Sequence, residues 1–373
     1  MIKVGITGQE GFMGQHLFNF LGTKTETVQR VAYDRSVFDD QELLKQWVSQ
    51  CDVIVHIAAM NRHEDQQVIY DTNVRLVNKL ISACEEAAVT PKIIFSSSTQ
   101  EECDNLYGKS KRDGRKDLED WAAKNKATVA SLVIPNVFGP FGVPFYNSFI
   151  ATFCHQLNHG QQPSIHQDAE VSLIYINELL EAFYLNIINE REGAYLDRVA
   201  PTSKHKVSEI LEKLEKFKET YVDKGAVPDI NDSFSLNLFN TFTSFIPKDY
   251  FPRKFTKHTD DRGAFVEIMR AATAGQSSYS TTVPGITRGN HYHTRKVERF
   301  AVISGKASIK LRKVNTDKVY EYILDGDTPA YVDMPIWYTH NITNIGDTEL
   351  ITLFWINEPY DPADPDTYFE TVD

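Results

Sequence analysis

Up to about residue 246 the chain alternates short apolar runs with helical periodicity. Residues 2–7 (IKVGIT) form an apolar run ending in Thr7-Gly8, and a helical pattern follows through Leu17, Phe18 and Leu21. Comparable runs recur at 28–33, 52–58, 92–97, 128–134 and 171–176. Near-continuous apolar runs separated by helical patterns predict parallel strands covered by helices on both faces. One helix is expected from Tyr107 to about Asn125, with Leu118, Trp121 and Ala122 on its buried side. Val207, Ile210, Leu211, Leu214 and Phe217 mark another, whose Lys/Glu side faces solvent. Around 245–252 (FIPKDYFP) helical periodicity stops. Short alternating runs such as RFAVISG, ASIKLRKV, VYEYIL and ELITLFWI, broken by Gly, Asp and Asn turns, predict an antiparallel barrel. The expected fold is therefore α/β, a doubly wound parallel sheet over 1–246, followed by an all-β barrel over 247–373. The acidic, proline-rich end, EPYDPADPDTYFETVD, is expected to be an ordered tail or a loose strand.

Composition narrows the partners. The chain has 373 residues, 42% hydrophobic and 24% charged, enough for two or three cores. A net charge of −12 argues against nucleic acid or an anionic membrane as the main partner. It leaves room for a phosphorylated small molecule, which single cations and local dipoles can hold. Cys51, Cys84, Cys103 and Cys154 show neither metal spacing nor a disulfide framework, which fits a reducing cytosol. MIKVGITG enters a strand directly and no stretch reaches membrane-spanning length, so a cytoplasmic protein is expected.

Candidate chemistry begins at the first turn. Strand, TGQEGFMG and helix form the context of a Rossmann-type dinucleotide fingerprint. Gly8 permits the tight turn, Gly11 the close approach of a pyrophosphate, and Gly14 close helix–strand packing. Amides near Phe12 and Met13 then face the phosphates at a helix N-terminus. Asp34, 20 residues after Gly14, is placed to hold an adenine-ribose diol, the NADH reading. Arg35 beside it could clamp a 2′-phosphate instead, and favours NADPH. In YGKSK, Tyr107 and Lys111 fall one helical turn apart on one face, so an ammonium could lower the pKa of the phenol. A Tyr-x-x-x-Lys alone usually marks a solvated helix face. Ser96, Ser97, Ser98 and Thr99, at the end of the preceding apolar run, could add a hydroxyl to the pair.

Taken together, the glycine turn, IIFSSS and YGKSK resemble the short-chain dehydrogenase/reductase family, specifically its extended branch acting on nucleotide sugars. The resemblance covers about residues 1–240. DVIVHIAA is similar to the branch's cofactor-lining strand, which brings in Ala58 and Ala59. DTNVRLVNKL supplies Asn73, matching the family's active-site Asn. NVFGP, with Asn136, resembles the start of the substrate-binding part, about 136–246. The resemblance implies that Tyr107 gives a proton to the forming alkoxide and that Lys111 tunes it while holding the nicotinamide ribose. Ser98 then orients the carbonyl, with Thr99 as the fallback register, and Asn73 supports a proton relay. Related dehydratases place Asp-Glu after the catalytic hydroxyl. Here Thr99-Gln100 stand there, which disfavours dehydration unless Glu101 and Glu102 act in a shifted register.

The second half carries its own pattern in GITRGNHYHTRKVERFAVISG. Gly285, His291, His293, Glu298 and Gly305 follow one another with five, one, four and six residues between them. These intervals resemble the first motif of the cupin family, and Pro335 to His340, then Asn344, resembles the second, with Trp337 in place of a Gly. His291, His293, Glu298 and His340 would form a three-His, one-carboxylate set for a divalent transition metal, zinc foremost. DDRGAFVE and the run from Arg288 to Tyr292 also resemble the sugar 3,5-epimerases of the same superfamily. There the residue matching His291 is a base and the one matching Arg288 meets the substrate phosphate. His293 favours the metal reading, which leaves Lys296, Tyr292 and Tyr338 as alternative bases.

Both halves together resemble the CapF-type capsular polysaccharide enzymes. The resemblance implies epimerisation at carbon 3 of a UDP-linked 4-keto-6-deoxy-N-acetylhexosamine in the cupin, then NADPH-dependent reduction at carbon 4. The product would be UDP-N-acetyl-6-deoxytalosamine, on the route to N-acetylfucosamine. It further implies a homodimer. The alternative is a single-activity reductase whose cupin is a structural or dimerising module.

Overall fold

A computed structural model describes residues 1–255, 257–260, 263–266, 276–358 and 361–373. Part of the DDRGAFVE motif (Asp261, Arg262 and Glu267) lies outside the described residues. The chain divides into two compact units, Met1–Ile150 with Gln167–Val207, and Ala151–His166 with Ser208–Asp373.

The strands of the first unit are β1 (Ile2–Thr7), β2 (Val28–Arg30), β3 (Val53–His56), β4 (Lys92–Ser98), β5 (Val129–Ile134), β6 (Asn136–Phe138), β7 (Glu170–Tyr175), β8 (Ala194–Arg198) and β9 (Ser203–Lys206). Six of them form a parallel sheet in the order β2-β1-β3-β4-β5-β8. Between them run α1 (Phe12–Leu21), α2 (Gln41–Val48), α3 (Gln66–Glu86) and α4 (Leu106–Asn125). Strand order reverses between β1 and β3, and ligands of such sheets bind outside the carboxyl ends at that point. The run at 171–176 was expected as a further strand of this sheet. It becomes β7 in a separate three-stranded sheet with β6 and β9, while the polar segment 194–198 supplies the sixth strand. Leu118, Trp121 and Ala122 of α4 are buried with Val77, Leu80 and Cys84 of α3, against Phe95 and Val129 of the sheet. Burying a side chain of this size stabilises by about 1.5–3 kcal/mol, so the apolar side of α4 fixes which face carries Tyr107 and Lys111.

After α5 (Phe149–Asn158), α6 (Ile176–Ile188), α7 (Val207–Phe217) and α8 (Ser233–Thr243), the chain turns to strands. They are β10 (Arg253–Lys254), β11 (Lys257–Asp260), β12 (Gly263–Val266), β13 (Gln276–Thr282), β14 (Thr287–Tyr292), β15 (Glu298–Ser304), β16 (Lys306–Lys313), β17 (Val319–Asp325), β18 (Ala330–Met334), β19 (Tyr338–Asn344), β20 (Leu350–Ile356) and β21 (Tyr368–Phe369). Two five-stranded antiparallel sheets result, β10-β18-β15-β20-β13 and β17-β16-β19-β14-β21. Residues 208–246, expected with the parallel sheet, cluster with these strands instead. A buried polar tether joins them to these strands. Arg299 on β15 pairs with Asp333 on β18 at 2.7 and 3.0 Å, donates to the Gly225 carbonyl at 3.0 Å, and Tyr221 donates to the same Asp333. Breaking such a pair leaves a buried charge uncompensated. No described helix is long and apolar enough to cross a membrane.

Candidate functional sites

Gly8 sits at φ +71°, and a Cβ there would lie 2.8 Å from the Ala58 amide nitrogen. At Gly14 a Cβ would fall 2.1 Å from the Gly8 carbonyl oxygen. The glycine turn therefore folds back on itself and against the end of β3. Gly14→Ala should cost about 1–3 kcal/mol by overpacking, read as a lowered midpoint in thermal or urea unfolding.

A cavity of about 890 Å³ opens at the carboxyl ends of the parallel strands. Gly8, Gly11, Phe12, Met13, Arg35, Ala58, Ala59, Ser98, Tyr107, Lys111 and Asn136 all line it. Thr99 does not, whereas Ser96 and Ser97 line it with Ser98. Gly14, Asp34 and Asn73 do not line it either, and each has a stated alternative job. Gly14 provides the close packing above. The Asp34 carboxylate caps the turn at 35–38, accepting from the Ser36 amide at 2.9 Å and from the Ser36 hydroxyl. Those hydrogen bonds hold it below the usual carboxylate range, and both fall on Oδ1. Asn73 accepts from the Met60 amide at 2.7 Å and donates to the Met60 carbonyl and the Ser110 hydroxyl, both at 3.0 Å. It positions the loop after β3 and the Tyr-x-x-x-Lys turn.

Electrostatics of the pair differ from the sequence expectation. The Lys111 ammonium is buried and donates to the Ser96 carbonyl at 2.9 Å, while lying 5.9 Å from the Tyr107 ring centre. Burial pulls this ammonium down to about 8, with the Glu101 charge opposing. Burial pushes the Tyr107 phenol up to about 12, the Tyr146 hydroxyl adding to it, instead of Lys111 drawing it down. Glu101 is held by Arg115 at 3.0–3.2 Å, and Glu102 by Arg198 at 2.8 Å. Neither lines the cavity. Sequence reasoning passed over Arg75 and Lys79, which α3 also presents to the cavity beside Arg35. Their spacing of four was the available signal.

In the second unit, ligand atoms of His291, His293, Glu298 and His340 all lie within 4.8 Å of one another. β14 and β19 pair His291 with His340 directly, after a register shift between Gly289 and His291. A bulge of this kind re-aims the side chain that follows it. Glu298 opens β15, with Oε2 3.2 Å from Nε2 of both His293 and His340. Each imidazole is anchored on its other side by a backbone carbonyl: His293 Nδ1 by Asp366 at 2.5 Å, His340 Nδ1 by Tyr338 at 3.2 Å, and His291 by Gly289. Carbonyls only accept, so the anchored nitrogens carry the protons and the inward ones carry lone pairs.

Three of the inward atoms, His293 Nε2, His340 Nε2 and Glu298 Oε2, are buried without a hydrogen-bond partner. Burial, with His340 and His293 nearby, pulls His291 down to about 4. Buried nitrogens and a carboxylate converging this way fit a divalent cation, with bonds of about 2.0–2.2 Å.

The other candidates in this unit are engaged elsewhere. Lys296 is buried and donates to the Pro365 carbonyl at 2.8 Å. Tyr292 stacks between Trp337 and Tyr368. Burial carries the Tyr338 phenol above the usual tyrosine range. Arg288 is exposed and donates to the Thr281 carbonyl at 2.9 Å.

A parallel sheet with a glycine turn and a Ser/Tyr/Lys-lined cavity defines a nucleotide-dependent oxidoreductase architecture. The chain belongs to the NAD dependent epimerase/dehydratase family, whose model matches residues 4–196, and a polysaccharide biosynthesis C-terminal domain matches 258–368. It is 33% identical over 370 residues to the UDP-2-acetamido-2,6-beta-L-arabino-hexul-4-ose reductase of Pseudomonas aeruginosa, covering 98% of both chains. It is similar to the crystal structure of the capsular polysaccharide assembling protein CapF from Staphylococcus aureus, with TM-score 0.61, 34% identity and all of both chains covered. The full-length resemblance expected from the sequence is thus found. RMD from Pseudomonas aeruginosa complexed with NADPH matches 59% of this chain and 84% of its own at 17% identity and TM-score 0.53, a likeness of fold. A nucleotide-sugar epimerase or reductase role, with a nicotinamide cofactor, follows.

Proposed function

We propose that the protein is a bifunctional nucleotide-sugar enzyme. Its C-terminal, cupin-like strands invert carbon 3 of a UDP-4-keto-6-deoxy-N-acetylhexosamine, and its parallel-sheet cavity then reduces carbon 4 to give UDP-N-acetyl-6-deoxytalosamine. The observation that carries this reading is the placing of Ser98, Tyr107 and Lys111 around one cavity with the glycine turn. The full-length relative named as a hexul-4-ose reductase supports the reductive half.

In the cavity, Ser98 orients the ketone and Tyr107 releases its proton to the oxygen as the alkoxide forms. Lys111 holds the ribose and supplies positive charge behind Tyr107. NADPH, when bound there, supplies the hydride. Arg35 lines the cavity and Asp34 does not, which favours a 2′-phosphate over a free diol. Arg35→Ala should raise KM for NADPH by about 10–100-fold, the worth of a charge-assisted contact, and leave KM for NADH nearly unchanged in steady-state assays.

In the second unit, His291, His293, Glu298 and His340 would hold a divalent cation, which supplies electrostatic stabilisation of charge developing on the neighbouring ketone oxygen. The ketone is needed for inversion and destroyed by reduction, so inversion comes first. A single-activity reductase with a structural metal is the second reading, favoured by the burial of His293, Glu298 and His340. The deciding experiment incubates the keto-sugar nucleotide with the full chain in deuterium oxide, without NADPH. Deuterium at carbon 3 is expected, and its absence while NADPH oxidation persists would leave the second reading.

A further inference from the structure

The acidic, proline-rich end of the chain runs beside the histidine cluster, and one residue of it holds three successive amides of the turn between two candidate ligands. Asp366 is buried, with φ at +40°. Its carboxylate accepts from three successive backbone amides: Thr294 at 3.1 and 3.3 Å, Arg295 at 3.0 Å and Lys296 at 3.1 Å. The Thr294 hydroxyl adds a fourth bond at 2.6 Å. Successive N–H groups curled around one anion form a nest, a concavity of fixed positive potential. Here the anion is the chain's own, and the nest is the turn that leads from His293 to Glu298.

The backbone of Asp366 acts on the same turn from its other side. Its carbonyl accepts the His293 Nδ1 proton at 2.5 Å, which leaves Nε2 as the free lone pair facing Glu298. Two residues further on, Tyr368 and Phe369 pair with Tyr292 and His291 of β14, so this segment is registered on the strand carrying another candidate ligand. Neighbouring contacts reinforce it without reaching the cluster: Lys296 donates to the Pro365 carbonyl, and Arg295 pairs with Asp364 at 2.8 Å.

We infer that Asp366 is a positioning residue for the metal set: its carboxylate shapes the 294–297 turn while its carbonyl fixes the tautomer and aim of His293. The inference rests on the reading of His291, His293, Glu298 and His340 as metal ligands. Outer partners of ligating histidines commonly matter this much to metal affinity.

The test titrates full-length apoprotein with zinc against a chromophoric chelator, and with cobalt while recording the visible d–d spectrum. Asp366→Ala should weaken zinc by about 10–100-fold and shift the cobalt bands, because the ligand field loses its fixed geometry. Both variants keep the backbone carbonyl, and Asp366→Asn also keeps the volume and one side-chain acceptor oxygen while losing the charge. It should recover part of the affinity, and it carries the test if the alanine variant does not fold. Asp364→Ala removes a contact of the same segment that touches no ligand, and should leave both readouts as in the unsubstituted protein. Unchanged zinc affinity and cobalt bands in both Asp366 variants would overturn the inference, as would an equal loss in Asp364→Ala. Unsubstituted protein that takes up neither ion would instead refute the metal reading beneath it.

Discussion

Tyr107→Phe should lower hydride transfer to the keto sugar by about 10²–10⁴-fold, the usual contribution of a general acid, with cofactor affinity essentially unchanged. The phenylalanine keeps the ring and its packing and removes one proton. Without bound cofactor the phenol is pushed up to about 12 by burial, so Tyr107 is fully protonated in any practical assay. For reduction that is the useful state, since the acid holds its proton until an alkoxide appears beside it. Lys111 should set the alkaline limit. Its ammonium is pulled down to about 8 by burial, so raising the pH through that value removes the positive charge. The reductive rate should therefore fall above pH 8 with one ionisation. Lys111→Met should flatten that limb as well as lower the plateau. A Tyr107→Phe enzyme with normal single-turnover hydride transfer would remove Tyr107 from the chemistry.

Much of this arrangement was legible in the sequence because each part is local. The glycine turn needs only a strand before it and a helix after it, and Tyr107 and Lys111 need only helical periodicity. His291 and His340 announce themselves by spacing within motifs. What stayed hidden depends on contacts distant in the chain. Nothing near Lys111 shows that the Ser96 carbonyl holds its ammonium. The sixth strand, 194–198 (AYLDR), lacks the apolar run of its neighbours because it lies at the sheet edge, where one side needs no partner strand. Conversely, the apolar run in 171–176 is a central strand, as it reads, but of the separate sheet β6-β7-β9. The tether of Tyr221 to Asp333 spans more than a hundred residues, so no local pattern could assign 208–246 to the second unit.

His340→Gln should abolish deuterium exchange at carbon 3, by about 10²-fold or more if the lost cation supplied several kcal/mol to the transition state. It should leave hydride transfer to an already inverted substrate intact. Glutamine is preferred to alanine because His340 is buried and its Nε2 lies 3.2 Å from the Glu298 carboxylate. A side chain of similar reach limits the cost of leaving that charge unpaired. The two activities then separate by residue: Tyr107→Phe keeps exchange and loses reduction, while His340→Gln loses exchange and keeps reduction. Zinc adds a second axis, since a cation bound only by the folded protein at 100 times its dissociation constant stabilises by about 2.7 kcal/mol. The unsubstituted protein should show that stabilisation on adding zinc, and His340→Gln should not. A purely structural metal makes a different pattern, in which His340→Gln lowers thermal stability and reduction together while any residual exchange follows the amount of folded protein. Normalising exchange to the folded fraction therefore decides between a metal that takes part in inversion and one that only holds the strands together.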